Sequence, residues 1–178
     1  NREGVAERFS DPSLHRSIEA DLKLIDHYDQ LLTDLELYIV RTAKQHDAHA
    51  FYRLRSVPGI GKILALVILY EIHDINRFPT VQDFVSYSRR VNCAKESAGK
   101  RYGTSGKKIG NVHLKFAFSE ASVLFLRANP KGQRFVEKLS SKHGKAKALS
   151  ILAHKLGRAV YYMLSRKQAF DMNKFFSS

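Results

Sequence analysis

The sequence predicts an all-α protein, with a long N-terminal coiled-coil-like helix followed by a compact helical domain. Three observations carry that expectation. Apolar residues recur at steps of three and four, no segment sustains the alternation of a half-buried strand, and Pro58-Gly59-Ile60-Gly61 interrupts two helical patterns. The 178 residues allow one ordinary domain, or one domain plus a helical appendage. An apolar content of 44%, with 10 Gly and 4 Pro, argues against disorder.

The first element runs from Ser13 to about His46. Leu14, Ile18, Leu22, Ile25, Tyr28, Leu32, Leu35 and Ile39 form a stripe of three-and-four spacing over almost four heptads. Asp11-Pro12 supplies a cap and first turn, with Ser13 as the competing cap. Glu19, Asp21, Asp26, Asp29, Asp34 and Glu36 fill the other faces. One reading is a surface helix packed on its own domain. The other, favoured by length and acidity, is a coiled-coil arm that makes a homo-oligomer, a dimer or higher.

The next segment, Phe51 to Tyr70, holds Pro58-Gly59-Ile60-Gly61, then Lys62 and a small Ala65 inside an apolar helix. It resembles the hairpin of helix-hairpin-helix proteins, in which two glycines let backbone N–H groups approach a phosphate. Gly59, Ile60, Gly61 and Lys62 are thereby candidate nucleic-acid contacts, to backbone and not to sequence. The competing reading is a plain tight turn between core helices.

Phe78 to Phe84 reads as a turn into a short helix through Tyr87, and residues 92–112 as a long non-periodic loop. That stretch carries Gly99, Gly103, Gly106 and Gly110 with Lys95, Lys100, Arg101, Lys107 and Lys108, against one acid, Glu96. A loop of this length inside a compact domain points to function or disorder. Two helices follow, His113 to about Ala128 and about Ala146 to Ser165, with a polar basic stretch through Lys145 between them.

Charge divides the chain. Residues 1–50 hold 6 basic and 10 acidic side chains, which leaves 24 basic and 7 acidic in 51–178 out of 30 and 17 in all. We therefore expect an acidic helical arm, 1–50, and a basic helical domain, 51–178, with a nucleic acid as partner. The single cysteine, Cys93, excludes a disulfide framework and Cys-rich zinc modules and suits a reducing cytoplasm. No apolar run reaches the ~18 residues of a membrane span. Of the eight histidines only His46 and His49 share a helix face, so no metal site is proposed by the spacing.

The loop suits nucleophilic chemistry. Ser97 lies between Lys95 and Lys100-Arg101, and Ala98-Gly99 keeps the backbone unobstructed. A serine attacking a DNA phosphate needs flanking cations for the transition-state charge and small neighbours to admit the strand. Ser105, before Gly106-Lys107-Lys108, is a second candidate on the same argument, and the competing reading of either serine, favoured by composition alone, is an ordinary loop hydroxyl.

A series of motifs in fixed order goes further: Pro58-Gly59-Ile60-Gly61 with Ala65, Glu71-Ile72, Arg77-Phe78, Phe84-Val85-Ser86-Tyr87, Glu96-Ser97-Ala98-Gly99-Lys100 and Lys108-Ile109-Gly110-Asn111-Val112-His113-Leu114-Lys115. With Ala146-Lys147-Ala148-Leu149 and His154-Lys155-Leu156-Gly157-Arg158-Ala159, it resembles the C-terminal half of the IS one-ten and IS one-sixteen transposases. These are bacterial insertion-sequence recombinases related to the Piv-type DNA invertases. The 13–46 helix matches the coiled-coil segment that precedes this half.

The resemblance implies a DNA recombinase that cuts and rejoins strands through a phosphoserine, guided by an RNA encoded with the element. It assigns Ser97, in a Ser-Ala-Gly-Lys segment one residue longer than the shortest family form, as nucleophile. Lys100, Arg101, Lys107, Lys108 and Lys115 would position phosphates, Asn111 and His113 would bond the loop or the nucleic-acid backbone, and Lys155 and Arg158 would add contacts from the last helix. It also implies a RuvC-like N-terminal domain whose acidic tetrad binds Mg2+. The chain opens on Asn1, so the expectation is a C-terminal piece with no cofactor of its own, inactive alone, and nucleoid-associated in the bacterial cytoplasm. The alternatives are a non-catalytic helix-hairpin-helix DNA-binding module and, on charge alone, an RNA-binding scaffold.

Overall fold

The computed structural model describes the backbone of residues 2–91, 93–97, 100–105 and 109–177, and the side chains of all these except 44–46, 93–97 and 101–105. The chain falls into two compact units, Asn1–Gln45 and His46–Ser178.

In the first unit a 3-10 turn, Ala6–Arg8, precedes helix α1 (Pro12–Arg55). Asp11 is the cap. Its Oδ1 accepts from Leu14 N at 2.9 Å, so the helix opens on Pro12, where a missing N–H costs nothing. The Arg2 guanidinium bridges Asp26 and Asp29 one turn apart on α1. Leu24, Ile25, Tyr28, Leu32 and Leu35 are 44–60% exposed. Helical backbone stops at Asp47 (φ −154°, ψ 82°), close to the predicted end at His46. Asp47 Oδ1 then accepts from Ala50 N at 2.8 Å and caps the turns that follow.

The second unit begins with those turns, which bury Phe51 and Leu54. There follow α2 (Lys62–Ile72), a 3-10 turn (Ile75–Arg77) and α3 (Val81–Tyr87). After the strands β1 (Cys93–Ser97) and β2 (Lys100–Ser105) come α4 (Val112–Leu124), α5 (Pro130–His143), α6 (Lys145–Ser165) and α7 (Met172–Ser177). Helix α6 is the centre: it packs against α3, α4 and α5, and α4 also packs on α2. Ala148, Leu152, Leu156 and Val160 recur every four residues along α6 and are fully buried, as are Phe84, Phe118 and Phe125. Phe84 meets Phe118 edge-on at 6.1 Å. Among the described residues no helix is long and apolar enough to cross a membrane.

The helical class holds, with two local differences. The segment read as a loop is an antiparallel hairpin over 93–105, with Cys93 opposite Ser105 and Ser97 opposite Lys100. A register irregularity falls between Lys95 and Glu96. Its sequence offers hardly any apolar alternation, so the backbone ladder and the two-residue connection between Ser97 and Lys100 are its only signal. The polar stretch before Lys145 contains α5, which buries only Gly132 and Val136 and so shows little period. Asn129-Pro130 was its mark: Asn129 Oδ1 accepts from Gly132 N at 3.1 Å, ahead of proline at the first helical position.

Candidate functional site

The hairpin leaves α3 and returns into α4 through a neck held by main-chain bonds. Asn111 N donates to Tyr87 O at 2.6 Å, and Arg90 N to Val85 O at 2.8 Å. Arg89, in the left-handed region (φ 52°), donates through Nε to Gly110 O at 2.9 Å. Gly110 has φ 96°, and a Cβ there would fall 2.5 Å from Tyr87 O, so the approach of the two chain segments requires glycine. Arg90 donates through its terminal nitrogen to Lys115 O at 2.8 Å and to Ser119 Oγ at 3.2 Å. Burial holds its pKa below the ordinary arginine value.

Side chains tighten the same point. Asn111 caps α4, its Oδ1 accepting from Leu114 N at 2.8 Å, while its Nδ2 donates to Glu71 Oε2 at 2.6 Å and to Tyr87 OH at 3.4 Å. Three elements, α2, α3 and α4, thereby meet at one amide. The Arg77 guanidinium lies 4.7 Å from the ring centres of both Phe78 and Tyr87. The Asn111 bond, aided by Arg77 and opposed by burial, lowers the Tyr87 pKa below the ordinary phenol value. Beside the neck, Arg89, Arg90, Lys115, Ser119 and Ser150 line an open cavity of about 500 Å3. It is polar, cationic and edged by one acid, Glu120.

The other expected contacts fall as follows. Gly59 (φ 84°) lies against the end of α4, where a Cβ would sit 2.5 Å from Phe125 N. Ile60 is buried, and Gly61 stands exposed at the N-terminus of α2 with nothing within 4 Å of a built Cβ. Lys62 is the first residue of α2. His113 and Lys115 are exposed on the first turns of α4, and Lys100 is exposed opposite Ser97. Lys155 and Arg158 lie on α6, on the side of a separate cavity. The side chains of Ser97, Arg101 and Ser105, and all of Lys107 and Lys108, lie outside the described residues. Sequence reasoning gave no site role to Arg89, Arg90 or Glu71; the contact of Glu71 with Asn111 spans 40 residues, and only the fold reveals it.

The acids of the basic region are largely engaged in structure. Asp74 caps the 3-10 turn, Asp83 forms a capping box with Thr80, and Asp171 accepts from Asn173 N and Lys174 N. Glu71 holds Asn111. Among the described residues no three His, Cys, Asp or Glu side chains converge.

Residues 52–137 match the model of the transposase IS116/IS110/IS902 family. The chain is 28% identical over 85 residues to the insertion element IS110 uncharacterized 43.6 kDa protein of Streptomyces coelicolor, covering 48% of this chain and 21% of that one. It is 23% identical over 146 residues to the transposase for insertion sequence element IS1111A of Coxiella burnetii, covering 80% of this chain and 40% of that one. The chain thus spans two-fifths or less of the length of these curated relatives. The matched region, just under half of the chain, takes in the glycine turn, α2, α3, the hairpin with its neck, α4 and the first half of α5, and these are the elements in which the chain is similar to the transposase IS116/IS110/IS902 family.

Proposed function

We propose that residues 46–178 form the DNA-handling, serine-bearing part of a bacterial insertion-sequence recombinase, with Ser97 as nucleophile. The observation that carries this reading is the hairpin register: Ser97 stands opposite Lys100 at the end of β1, on a hairpin whose neck is fixed by Arg89–Gly110 and Asn111–Tyr87. Directly opposed backbone positions of an antiparallel pair lie about 5 Å apart, within the span of one phosphate. In the step, a bond forms between Ser97 Oγ and phosphorus as one P–O bond of the DNA backbone breaks. The serine proton leaves, the departing oxygen takes one up, and rejoining reverses the exchange without hydrolysis.

Lys100 and Arg101 on the hairpin, Lys107 and Lys108 after it in the sequence, and Lys115 with the arginines at the neck neutralise the phosphates. The exposed stripe of α1 makes the homo-oligomer, bringing two such hairpins to two strands, and a guide RNA encoded with the element would select them. An acidic RuvC-like domain elsewhere in the complete transposase would supply Mg2+. Such a protein works on DNA in the bacterial cytoplasm.

The salt dependence of duplex binding by the 178-residue chain tests the binding half of this reading. With six or more phosphates contacted, the log–log slope is expected to be about −5 or steeper. Absence of binding at low salt, or a flat response to tenfold more salt, overturns it. A non-catalytic binding module would show the same slope, and the adduct experiment that closes the Discussion separates the two.

A further inference from the structure

A second cavity, of about 730 Å3, opens among α5, α6 and the segment that leads into α7, and among the described residues none of the hairpin or its neck lines it. Its lining joins two chemistries. Phe135, Tyr162, Phe170 and Phe175 are aromatic, and Lys155, Arg158, Arg166 and Lys174 are cationic. They are interleaved: Lys155 Nζ lies 5.3 Å from the Phe175 ring centre and 5.9 Å from that of Phe135, and Arg166 lies 4.5 Å from the Tyr162 ring centre. Among the described residues the one acid in the lining, Asp171, accepts from Asn173 N and Lys174 N and so caps α7.

We infer that this cavity is a subsite for one unpaired nucleotide, its base against the aromatic rings and its phosphate among Lys155, Arg158 and Lys174. Aromatic rings flanked by cations grip single strands through the π-face and the backbone, whatever the sequence. A stacked base in a duplex does not present that face, so the occupant is a nucleotide out of the stack. The volume lies within the range of about 300–1,000 Å3 typical of small-ligand sites. His154, which also lines the cavity, has an Nε2 shut from solvent without a hydrogen-bond partner. Burial, then Arg158, lowers the pKa of both His154 and Lys155, so cations crowd where an anion would relieve them. The inference rests on the chain handling nucleic acid and not on Ser97.

The test fills the cavity without removing charge. Ala169 is exposed at its rim and Ala159 lines it from α6, so Ala169→Trp and Ala159→Trp serve as two independent plugs. Anisotropy of labelled (dT)10, (U)10 and a labelled duplex is measured on the 178-residue chain, with 5′-AMP and inorganic phosphate as competitors. The expected result is a tenfold or greater loss of single-strand affinity for each plugged variant that keeps its helical circular dichroism, with duplex affinity within twofold. Competition by 5′-AMP at concentrations where phosphate has no effect is also expected. A preference between (dT)10 and (U)10 tells whether DNA or RNA supplies the nucleotide. Single-strand affinity unchanged in the folded plugged variants, competition by phosphate equal to that by 5′-AMP, or no single-strand binding by the parent overturns the inference. Single-strand binding without duplex binding supports the subsite and contradicts the DNA reading above.

Discussion

Leu152, Leu156 and Val160 of α6 are fully buried, while Ile25, Leu32 and Leu35 of α1 are 44–57% exposed, although both stripes follow helical spacing. In α6 the cover is known, because α3, α4 and α5 pack around it. In Asn1–Gln45 the elements preceding α1 amount to one 3-10 turn, too little to cover a stripe that reaches Ile39. The spacing of apolar residues therefore says which face of a helix is apolar and leaves open what covers it. On the oligomer proposed above, a second copy covers this stripe, which is long, apolar and flanked by acids.

The comparison can be broken most severely in α6. Leu156→Ala is expected to lower the stability of the second unit by about 2–5 kcal/mol, read from urea unfolding. A loss under about 1 kcal/mol would mean that α6 is not the centre of the core. Next is Gly59→Ala, where a Cβ meets the backbone of Phe125 at φ 84°. Strain of this kind costs about 1–3 kcal/mol. A neutral result in the same urea series would show that the close approach to α4 is not required. Asn111→Ala removes the α4 cap and the link to Glu71, with an expected cost of about 1–2 kcal/mol, whereas Asn111→Asp keeps the cap but opposes two carboxylates. If both variants unfold with the parent, the neck is held by its main-chain bonds alone. The smallest effect on stability belongs to α1: Leu32→Asp with Leu35→Asp should change unfolding of the second unit by about 0.5 kcal/mol or less. Light scattering should show an oligomer for the parent and a monomer for that variant, and a monomeric parent at high concentration refutes the arm.

Helices whose stripes are wide and long were legible: α1 to its break at Asp47, α2 through its almost unbroken apolar run, and the major parts of α4 and α6. The hairpin was not, because its stability lies in backbone bonds between residues of mixed polarity rather than in a face that repels water. Helix α5 was missed for the opposite reason, its cap being clear and its buried face thin. At the site, local composition proposed two serines, the cations and the glycines, and the choice of Ser97 came from the resemblance. The partners that fix the neck were invisible, since Glu71, Tyr87 and Asn111 meet only after three elements have packed. Gly59 carries two requirements for a missing side chain: the phosphate approach expected from sequence, and the seat against α4 that only the fold reveals.

Strand cleavage through Ser97 is the central claim, and its product is a covalent bond. The complete transposase containing this chain is incubated with a nicked DNA substrate and Mg2+, denatured, and resolved for protein-linked DNA. Ser105→Ala controls for the other serine of the hairpin, with circular dichroism and duplex affinity recorded for each variant. The account predicts an adduct in the parent and in Ser105→Ala, mapped by peptide sequencing to Ser97, and none in a folded, DNA-binding Ser97→Ala protein. An adduct that survives in Ser97→Ala, or is lost only in Ser105→Ala, would contradict it.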